Sequence, residues 1–448
     1  MPNHQEKFFS LRKRYPTFTY ESFCVMHSKN DLLIEFLFVV DENIQFRPTL
    51  SIPFRAFYRF DALSKEQIDT LAFHIGLIEM ISYWKATCSP TVAIKPFALS
   101  DVQMEWWKKL YFQGLGEFFY VNGIQTTQAE FMTIECTSDV ATQKHKFHLD
   151  EKIIVPIGGG KDSVVTLELL RKSQLEMRPL IINPRGATLN CAQIAGFERE
   201  HIIEVNRTIH PRLLELNAEG FLNGHTPFSA MLAFVSLLTS AMTKMRHIAL
   251  SNESSANEAT VLNQNVNHQY SKSLEFEDDF RDYVKNFISE DFNYFSFLRP
   301  LNELAIAKRF SEFPQYHSVF RSCNAGSKED IWCCNCAKCL FAYIILSPFI
   351  EPQRMLQIFG EDLLNKQSLK HEFDQLTGVE DIKPFECVGT IDEVNVALNL
   401  HIQRFPNHTP TLIQYYKTLD KFNKNPVDIT NEFLKTHNLL PVFLDCYS

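Results

Sequence analysis

The fold is decided by the stretch IIVPIGGGKDS, residues Ile153–Ser163. Five consecutive apolar residues, Ile153–Ile157, are typical of a strand that is buried on both faces in a parallel sheet. Three glycines follow, and the amphipathic stretch Ser163–Lys172 then predicts a helix. The sequence therefore indicates a strand, a tight glycine loop and a helix in direct succession.

Similar elements continue along the chain. Short apolar runs predict further strands at Pro179–Asn183, Ile202–Val205 and His247–Ser251, and the apolar stretch Phe228–Met242 predicts a buried helix. Alternating strands and helices indicate an α/β domain with a doubly wound parallel sheet, whose ligands bind at the carboxyl ends of the strands. We assign residues 151–321 to this domain.

The regions on either side of residues 151–321 differ from that domain in composition and in their predicted elements. Residues 1–150 combine strand-like runs at Leu32–Val40 and Thr49–Phe54 with a helical pattern at Lys65–Ala86, which predicts an α+β domain. Its pair Trp106-Trp107 is interpreted as packed core rather than as a pocket lining. Residues 322–448 are first cysteine-rich and then helical, so we expect a third region there.

Composition narrows the classes of function. The chain has 448 residues, 45% of them hydrophobic, and a formal net charge of −9. Because its basic residues are scattered, a general nucleic-acid binder is not expected and a small-molecule substrate is favoured. No stretch resembles a signal peptide or spans a bilayer, so we expect a cytoplasmic protein without a membrane partner. Eleven cysteines then predict reduced thiols or metal ligands.

The glycine loop has the chemistry of a phosphate site. Glycines let the backbone turn so that N–H groups meet phosphate oxygens at the positive end of the following helix. Lys161 would add a mobile point charge. The alternative is a plain glycine turn capped by Asp162 or Ser163. The loop matches neither the Walker A pattern nor Gly-x-Gly-x-x-Gly.

The string resembles the pyrophosphate loop of the ATP pyrophosphatase superfamily, Ser-Gly-Gly-x-Asp-Ser, with Gly158 in place of the leading serine. This resemblance implies an adenine nucleotide alpha hydrolase-like fold that cleaves ATP to AMP and pyrophosphate while adenylating a carboxylate or carbonyl oxygen. It also implies Mg²⁺, which bridges phosphate oxygens and carboxylates. The residues expected to hold the nucleotide and its metal are Gly158, Gly159, Gly160, Lys161, Asp162, Ser163, Asn252 and Glu253.

Two further segments agree with that superfamily. His247–Glu258 follows a predicted strand with polar groups that could hold magnesium or the activated substrate; the alternative is that Ser251 and Asn252 cap a helix. Phe297–Leu301 is similar to the segment that closes these domains, most clearly in the cyano-deazaguanine synthases.

Four cysteines have the spacing of a zinc site. Cys333, Cys336 and Cys339 form C-x-x-C-x-x-C, and Cys323 lies upstream, so four thiolates could form a closed tetrahedral site with a structural role. The spacing resembles the zinc knuckle of the cyano-deazaguanine synthases, and Cys334 is left over. Dispersed buried thiols and an iron–sulfur cluster are the alternatives.

Longer strings resemble one family most. IVPIGGGKDSVVTLELL, NPRGATLN, GFLNGHTPFSAMLAF, LSNESSANEATV, VNHQYSKSLEFEDDFR, FRSCN and KPFECVGT are similar to the ATP-dependent epimerases of UDP-N-acetylmuramoyl-L-alanyl-L-glutamate. The resemblance extends from about Gly114 to Leu398. It implies inversion of the terminal L-Glu through a carboxyl-adenylate, in peptidoglycan precursor synthesis, with a UDP-sugar dipeptide as the substrate.

Inversion requires groups that remove the Cα proton and return one to the opposite face, and charged groups that bind the substrate. The candidates for proton transfer are Cys387, His268 and His225, and the candidates for substrate binding are Arg185, Arg299, Tyr270 and Lys272. Two alternatives remain open: a related enzyme that modifies a nucleobase or tRNA, as cyano-deazaguanine synthases do, and a nucleotide-binding protein without catalysis.

Overall fold

The computed structural model describes residues 4–59, 62–258, 267–423 and 425–448. The end of the string LSNESSANEATV and the first residue of VNHQYSKSLEFEDDFR lie outside the described residues. The strands are β1 Thr17–His27, β2 Asp31–Val39, β3 Gln45–Phe46, β4 Thr49–Pro53, β5 Thr91–Ile94, β6 Thr133–Cys136, β7 Asp150–Pro156, β8 Met177–Ile182, β9 Ile203–Arg207, β10 Met245–Leu250 and β11 Asn293–Ser296. The α-helices are α1 Gln5–Arg14, α2 Lys65–Thr87, α3 Asp101–Gly114, α4 Gly116–Val121, α5 Lys161–Leu170, α6 Gly186–Ile194, α7 Pro211–Ala218, α8 Phe228–Thr243, α9 Leu274–Phe287, α10 Glu303–Ser311, α11 Ala337–Leu346, α12 Pro352–Phe359, α13 Lys370–Thr377, α14 Ile391–Arg404, α15 Thr411–Tyr416 and α16 Pro441–Leu444.

The elements predicted from apolar patterns are confirmed. Strands β2, β4, β7, β8, β9 and β10 and helices α2, α5 and α8 lie where the sequence indicates them, with ends that shift by a few residues. Helix α2 begins with a capping box in which Ser64 and Gln67 satisfy each other's backbone N–H groups. No helix among the described residues is long and apolar enough to cross a membrane.

The chain divides into two compact units, each built from segments that are distant in sequence. Unit 1 contains residues 1–154, 203–248 and 269–294, and unit 2 contains residues 155–202, 249–268 and 295–448. The division places the glycine loop and the four cysteines of the C-x-x-C-x-x-C region in the same unit. Unit 2 therefore carries both the candidate phosphate loop and the candidate metal ligands.

Unit 1 contains a mixed sheet with the strand order β9-β4-β2-β1-β5-β6, and β3 pairs with β2. Strand β2 is antiparallel to β1 and β4, whereas β5 is parallel to β1 and β6. Strand β9, expected in a wholly parallel sheet, pairs antiparallel with β4. Parallel pairing occurs between β7 and β10, where Ile154 aligns with Ile248. The protein thus has an α/β fold with parallel and antiparallel pairs.

Trp106 and Trp107 belong to a cluster of aromatic side chains in unit 1. Trp107 is fully buried, and its indole N–H donates to the Tyr283 hydroxyl at 3.0 Å. The Trp106 ring centre lies 4.2 Å from that of Tyr283 at an interplanar angle of 32°, and its indole N–H donates to the Asp279 carbonyl at 3.0 Å. Buried indoles require such acceptors. The interpretation as packed core is confirmed for Trp107, and the half-buried Trp106 packs at the edge of that core.

Unit 2 places helices directly after the carboxyl ends of strands. The Ile157 N–H donates to the Leu180 carbonyl at 2.9 Å, which joins the exits of β7 and β8. Helix α5 follows β7, and helix α6 follows β8. The remainder of unit 2 is mainly helical, and α10 packs against α5 and α11. The glycine loop thus lies at a strand exit, where α/β proteins bind ligands.

A buried ion pair in unit 1 gives a test of this fold. Glu79 on α2 receives two hydrogen bonds from Arg207 on β9, at 2.8 and 2.9 Å, with side chains 3% and 12% exposed. We expect Arg207→Met to lower the free energy of unfolding by about 3–5 kcal/mol, because it leaves a buried carboxylate without its cation. Urea denaturation followed by tryptophan fluorescence measures this loss.

The double variant Glu79→Leu/Arg207→Met should regain most of the loss, since it removes both charges together. Glu35→Ala, which breaks the exposed pair with Arg47, is the control and should cost less than about 1 kcal/mol. An Arg207→Met variant as stable as the wild type would contradict the packing of α2 on β9.

Candidate functional site

The backbone conformation of the glycine loop requires a glycine at position 159. Gly159 has φ +79°, and a Cβ there would lie 2.9 Å from the Thr188 nitrogen. Only glycine combines this dihedral with so close an approach. Gly158 is exposed with open space around its Cα, so this position has room for the serine that it lacks. Helix α5 begins at Lys161, two residues before the predicted start at Ser163.

The loop turns its carbonyl groups toward protein donors. The Gly158 oxygen accepts from the Arg185 guanidinium at 3.2 Å, and the Gly159 oxygen accepts from the Arg321 N–H at 2.8 Å. The Gly160 oxygen accepts from the Ser163 hydroxyl at 3.0 Å. Within the described ranges, the N–H groups of the three glycines have no protein acceptor. The loop therefore presents donors, which is the arrangement that binds an anion.

Lys161 is not a mobile surface charge. Its side chain is 6% exposed and forms ion pairs with Asp162 and Glu303, the second of which is 3% exposed. Glu303 opens helix α10, and its N–H donates to the Glu393 carboxylate at 2.9 Å. The lysine thus ties the start of α5 to the start of α10, and its charge is already matched by carboxylates.

Burial and charge act together on this pair. Burial raises the pKa of Glu303 to about 8, and the ammonium group of Lys161 opposes that rise. Burial lowers the pKa of Lys161, but Asp162 and Glu303 outweigh this effect and raise the pKa above its ordinary value. The positive charge of Lys161 is therefore balanced by two carboxylates. Removing the lysine would leave the Glu303 carboxyl group buried without its partner.

The segment after β10 is held by a buried arginine. Arg299 is 1% exposed and donates to the Glu253 carbonyl at 2.6 Å and to the Ser296 hydroxyl at 3.1 Å. Asn252 donates to the same hydroxyl at 3.0 Å. A 3₁₀ helix starts at Ser254, and no side chain of Ser251 or Asn252 caps it. In this structure Arg299 supports the segment carrying Asn252 and Glu253 instead of reaching solvent.

The four predicted cysteines come together. The sulfur atoms of Cys323, Cys333, Cys336 and Cys339 all lie within 4.8 Å of one another. The Cys333 and Cys339 sulfurs are 3.7 Å apart, close to the separation of about 3.8 Å expected for two thiolates on one tetrahedral zinc ion. Cys334 is directed elsewhere, since its thiol donates to the Phe359 carbonyl at 3.2 Å. This donor set suits a closed four-thiolate metal site.

The cysteine segment also contacts the glycine loop and its neighbour α6. The Arg321 N–H bond to Gly159 lies two residues before Cys323. Asp330, between the cysteines, accepts the Ala187 N–H at 2.9 Å at the start of α6. Arg185 donates to the Ser327 carbonyl at 3.4 Å. The cysteine segment and the glycine loop are therefore in direct contact within unit 2.

The segment KPFECVGT, residues 383–390, is hydrogen-bonded to the cysteine segment. Lys338, between two cysteines, donates to the Cys387 carbonyl, and Asn324 donates to the Glu386 carboxylate. Burial raises the pKa of Glu386, and the Cys336 thiolate contributes to that rise. Cys387 is half-buried beside it. A thiol and a carboxyl group with a raised pKa thus occupy adjacent positions in a segment that contacts the cysteine loop.

The other predicted residues divide between the units. His268 is half-exposed in unit 2. In unit 1, His225 lies 3.6 Å from the Glu117 carboxylate, Tyr270 is 4% exposed with its pKa raised by burial, and Lys272 is half-exposed. Unit 2 thus gathers the glycine loop, Arg185, Arg299, Cys387 and the four cysteines.

Three residues of this site were not predicted from the sequence. Glu303, Glu393 and Asp330 are carboxylates that contact Lys161, the start of α10 and the start of α6. The available signal was weak, because Asn302-Glu303 and Thr390-x-x-Glu393 follow the ordinary pattern of helix starts. Their importance arises only when distant segments meet.

Comparisons with known proteins identify the family of this chain. A family model of the MurL N-terminal domain matches residues 10–297, and a model of the MurL C-terminal domain matches residues 318–425. Three curated relatives carry the name UDP-N-acetyl-alpha-D-muramoyl-L-alanyl-L-glutamate epimerase. The one from Micromonospora sp. is 31% identical over 411 residues, 89% of this chain and 88% of the relative.

The relative from Salinispora tropica is 32% identical over 411 residues, 89% of this chain and 86% of its own length. The relative from Xanthomonas oryzae pv. oryzae is 33% identical over 332 residues, 72% of each chain. Both family models and all three relatives confirm the resemblance read from the sequence strings. The chain therefore belongs to the family of UDP-N-acetyl-alpha-D-muramoyl-L-alanyl-L-glutamate epimerases.

Proposed function

We propose that this protein inverts the terminal L-Glu of UDP-N-acetylmuramoyl-L-alanyl-L-glutamate to D-Glu, at the expense of ATP. The observation that carries the ATP requirement is the glycine loop, whose carbonyl groups are bonded by protein donors while its N–H groups have no acceptor among the described residues. The names of the relatives support the substrate.

The residues of the loop fit the phosphates of ATP. Gly158, Gly159 and Gly160 supply N–H donors, and the start of α5 adds the positive end of a helix. Asp162, with a side chain 30% exposed, offers an oxygen ligand for Mg²⁺, and so do Asn252 and Glu253. These oxygens would hold Mg²⁺, which would supply neutralisation of the phosphate charge there. Lys161 stabilises the loop from within.

Adenylation explains why inversion needs ATP. Removing the Cα proton beside a free carboxylate concentrates negative charge on two oxygens. When a carboxylate oxygen attacks the α-phosphorus, pyrophosphate leaves and the resulting acyl-adenylate has lost that charge, so the proton becomes more acidic. Each tenfold gain in rate requires about 1.4 kcal/mol. After the proton returns to the opposite face, water cleaves the anhydride to release AMP and the D-epimer.

Proton transfer requires groups that reach both faces of Cα. We assign this role to Cys387 and His268 of unit 2, with His225 of unit 1 as a further candidate. Cys387 is half-buried and directly follows Glu386, whose pKa is raised by burial, so a thiol and a carboxyl group lie side by side in this segment. The sequence candidates for substrate binding were Arg185, Arg299, Tyr270 and Lys272; of these, Arg299 and Tyr270 are buried.

We also propose that the four cysteines hold one structural Zn²⁺. Four thiolates complete a tetrahedral site, which leaves no position for a reacting water. The Gly326 N–H donates to the Cys323 sulfur at 3.1 Å, a contact that stabilises a thiolate ligand. The metal would then fix the segment that contacts the glycine loop.

The function is tested by a chiral assay. The purified protein is incubated with Mg²⁺-ATP and UDP-N-acetylmuramoyl-L-Ala-L-Glu in D₂O, and the hydrolysed product is analysed for D-Glu. We expect D-Glu carrying deuterium at Cα, with AMP and pyrophosphate released, because inversion exchanges the Cα proton. Omitting ATP should abolish inversion, and D-Glu formed equally without ATP would refute the adenylation step.

Adjacent cysteines give a matched test of the metal site. We expect the wild type to hold about one zinc per chain by elemental analysis, and Cys333→Ser to lose most of it, because it removes one of four ligands. Cys334→Ser is the control and should keep its zinc, since its thiol donates to the Phe359 carbonyl. Equal metal content in both variants would reject the ligand assignment.

A further inference from the structure

Among the described residues, the cations Lys161, Arg321 and Arg185 adjoin the glycine loop, and the first two side chains are held by other parts of the fold. Lys161 is buried between carboxylates. The Arg321 guanidinium donates to the carbonyl oxygens of Ser318 and Phe320, at 3.1 and 2.7 Å, and lies 6.0 Å from the Trp332 ring centre. Burial lowers the pKa of Arg321. The Lys161 charge is matched by carboxylates, and the Arg321 guanidinium is directed onto the carbonyls of its own segment rather than toward the glycine loop.

Arg185 differs from Arg321 because its guanidinium bonds the glycine loop itself. Its guanidinium donates to the Gly158 carbonyl at 3.2 Å and to the Ser327 carbonyl at 3.4 Å. Both acceptors are neutral, and in the part of the chain that the structure describes no carboxylate lies within ion-pair distance. The side chain is half-exposed. Arg185 therefore keeps its charge at the edge of the loop.

The backbone around Arg185 is fixed before any ligand binds. The Arg185 N–H donates to the Thr188 hydroxyl at 3.0 Å, and that hydroxyl donates to the Arg185 carbonyl at 2.8 Å. Gly186 has no room for a Cβ beside the Asp330 carboxylate. Because Gly159 packs on the same turn of α6, Arg185 and the glycine loop hold a defined relative position.

The leaving group needs a cation that the loop lysine does not supply. Pyrophosphate gains charge as the bond to the α-phosphorus breaks, and a planar guanidinium can bind two of its oxygens at once. We propose that Arg185 binds the β- and γ-phosphates of ATP, and so the pyrophosphate formed from them, rather than a glutamyl carboxylate or the UDP phosphates. This assignment rests on the proposed function and gives Arg185 and Lys161 different roles.

Calorimetric titrations with ATP, AMP and inorganic pyrophosphate, each with Mg²⁺, test the proposal. Arg185→Ala should weaken ATP and pyrophosphate binding at least about tenfold, as expected for losing a charge-assisted pair, while the AMP affinity stays within about threefold. Arg185→Lys, which keeps the charge without the planar fork, makes a smaller structural change and should also weaken pyrophosphate more than AMP.

Arg178→Ala is the matched control. Arg178 lies on β8, the strand that precedes Arg185, and pairs with Glu176 at 2.9 Å, so its loss should leave all three affinities unchanged. Equal weakening of AMP and pyrophosphate in the Arg185 variants, or no weakening, would overturn the assignment. Wild-type protein that binds neither ATP nor pyrophosphate would instead refute the proposed function itself.

Discussion

The close approach of Gly159 to the first turn of α6 is the constraint on which the rest of the site depends. The positive φ of this residue and the 2.9 Å separation between its hypothetical Cβ and the Thr188 nitrogen allow no side chain. The same packing turns the Gly159 carbonyl toward the Arg321 N–H. One glycine thus sets the direction of the loop donors, the place of Arg185 and the contact with the cysteine segment.

The position of helix α5 decides how the charges beside the glycine loop are arranged. Helix α5 brings Lys161 into the interior, where Asp162 and Glu303 compensate its burial. Lys161 thus stabilises the loop from the interior, and the proposed anion site consists of backbone donors and the half-exposed Arg185. Such an arrangement leaves the loop preorganised, because the donors are fixed by the fold before phosphate arrives.

Sequence patterns predicted the parts of this structure that depend on near neighbours. The apolar run before Gly158 gave strand β7, and the spacing of Cys333, Cys336 and Cys339 gave a cluster that the structure brings together. Long-range partners were not predictable in this way. The antiparallel pairing of β9 with β4, and the meeting of Glu303 with Lys161, join segments separated by more than a hundred residues. No local period or spacing encodes such contacts.

The central claim is that the backbone of the glycine loop holds the triphosphate, and neighbouring glycines allow a direct measurement. Mg²⁺-dependent ATP affinity is compared for Gly158→Ala and Gly159→Ala, with thermal denaturation as the check on folding. Gly158 has open space, so its variant should bind ATP within about threefold of the wild type, whereas Gly159→Ala should lose at least about tenfold. Equal affinities in folded variants, or a wild type that binds no ATP, would contradict the account.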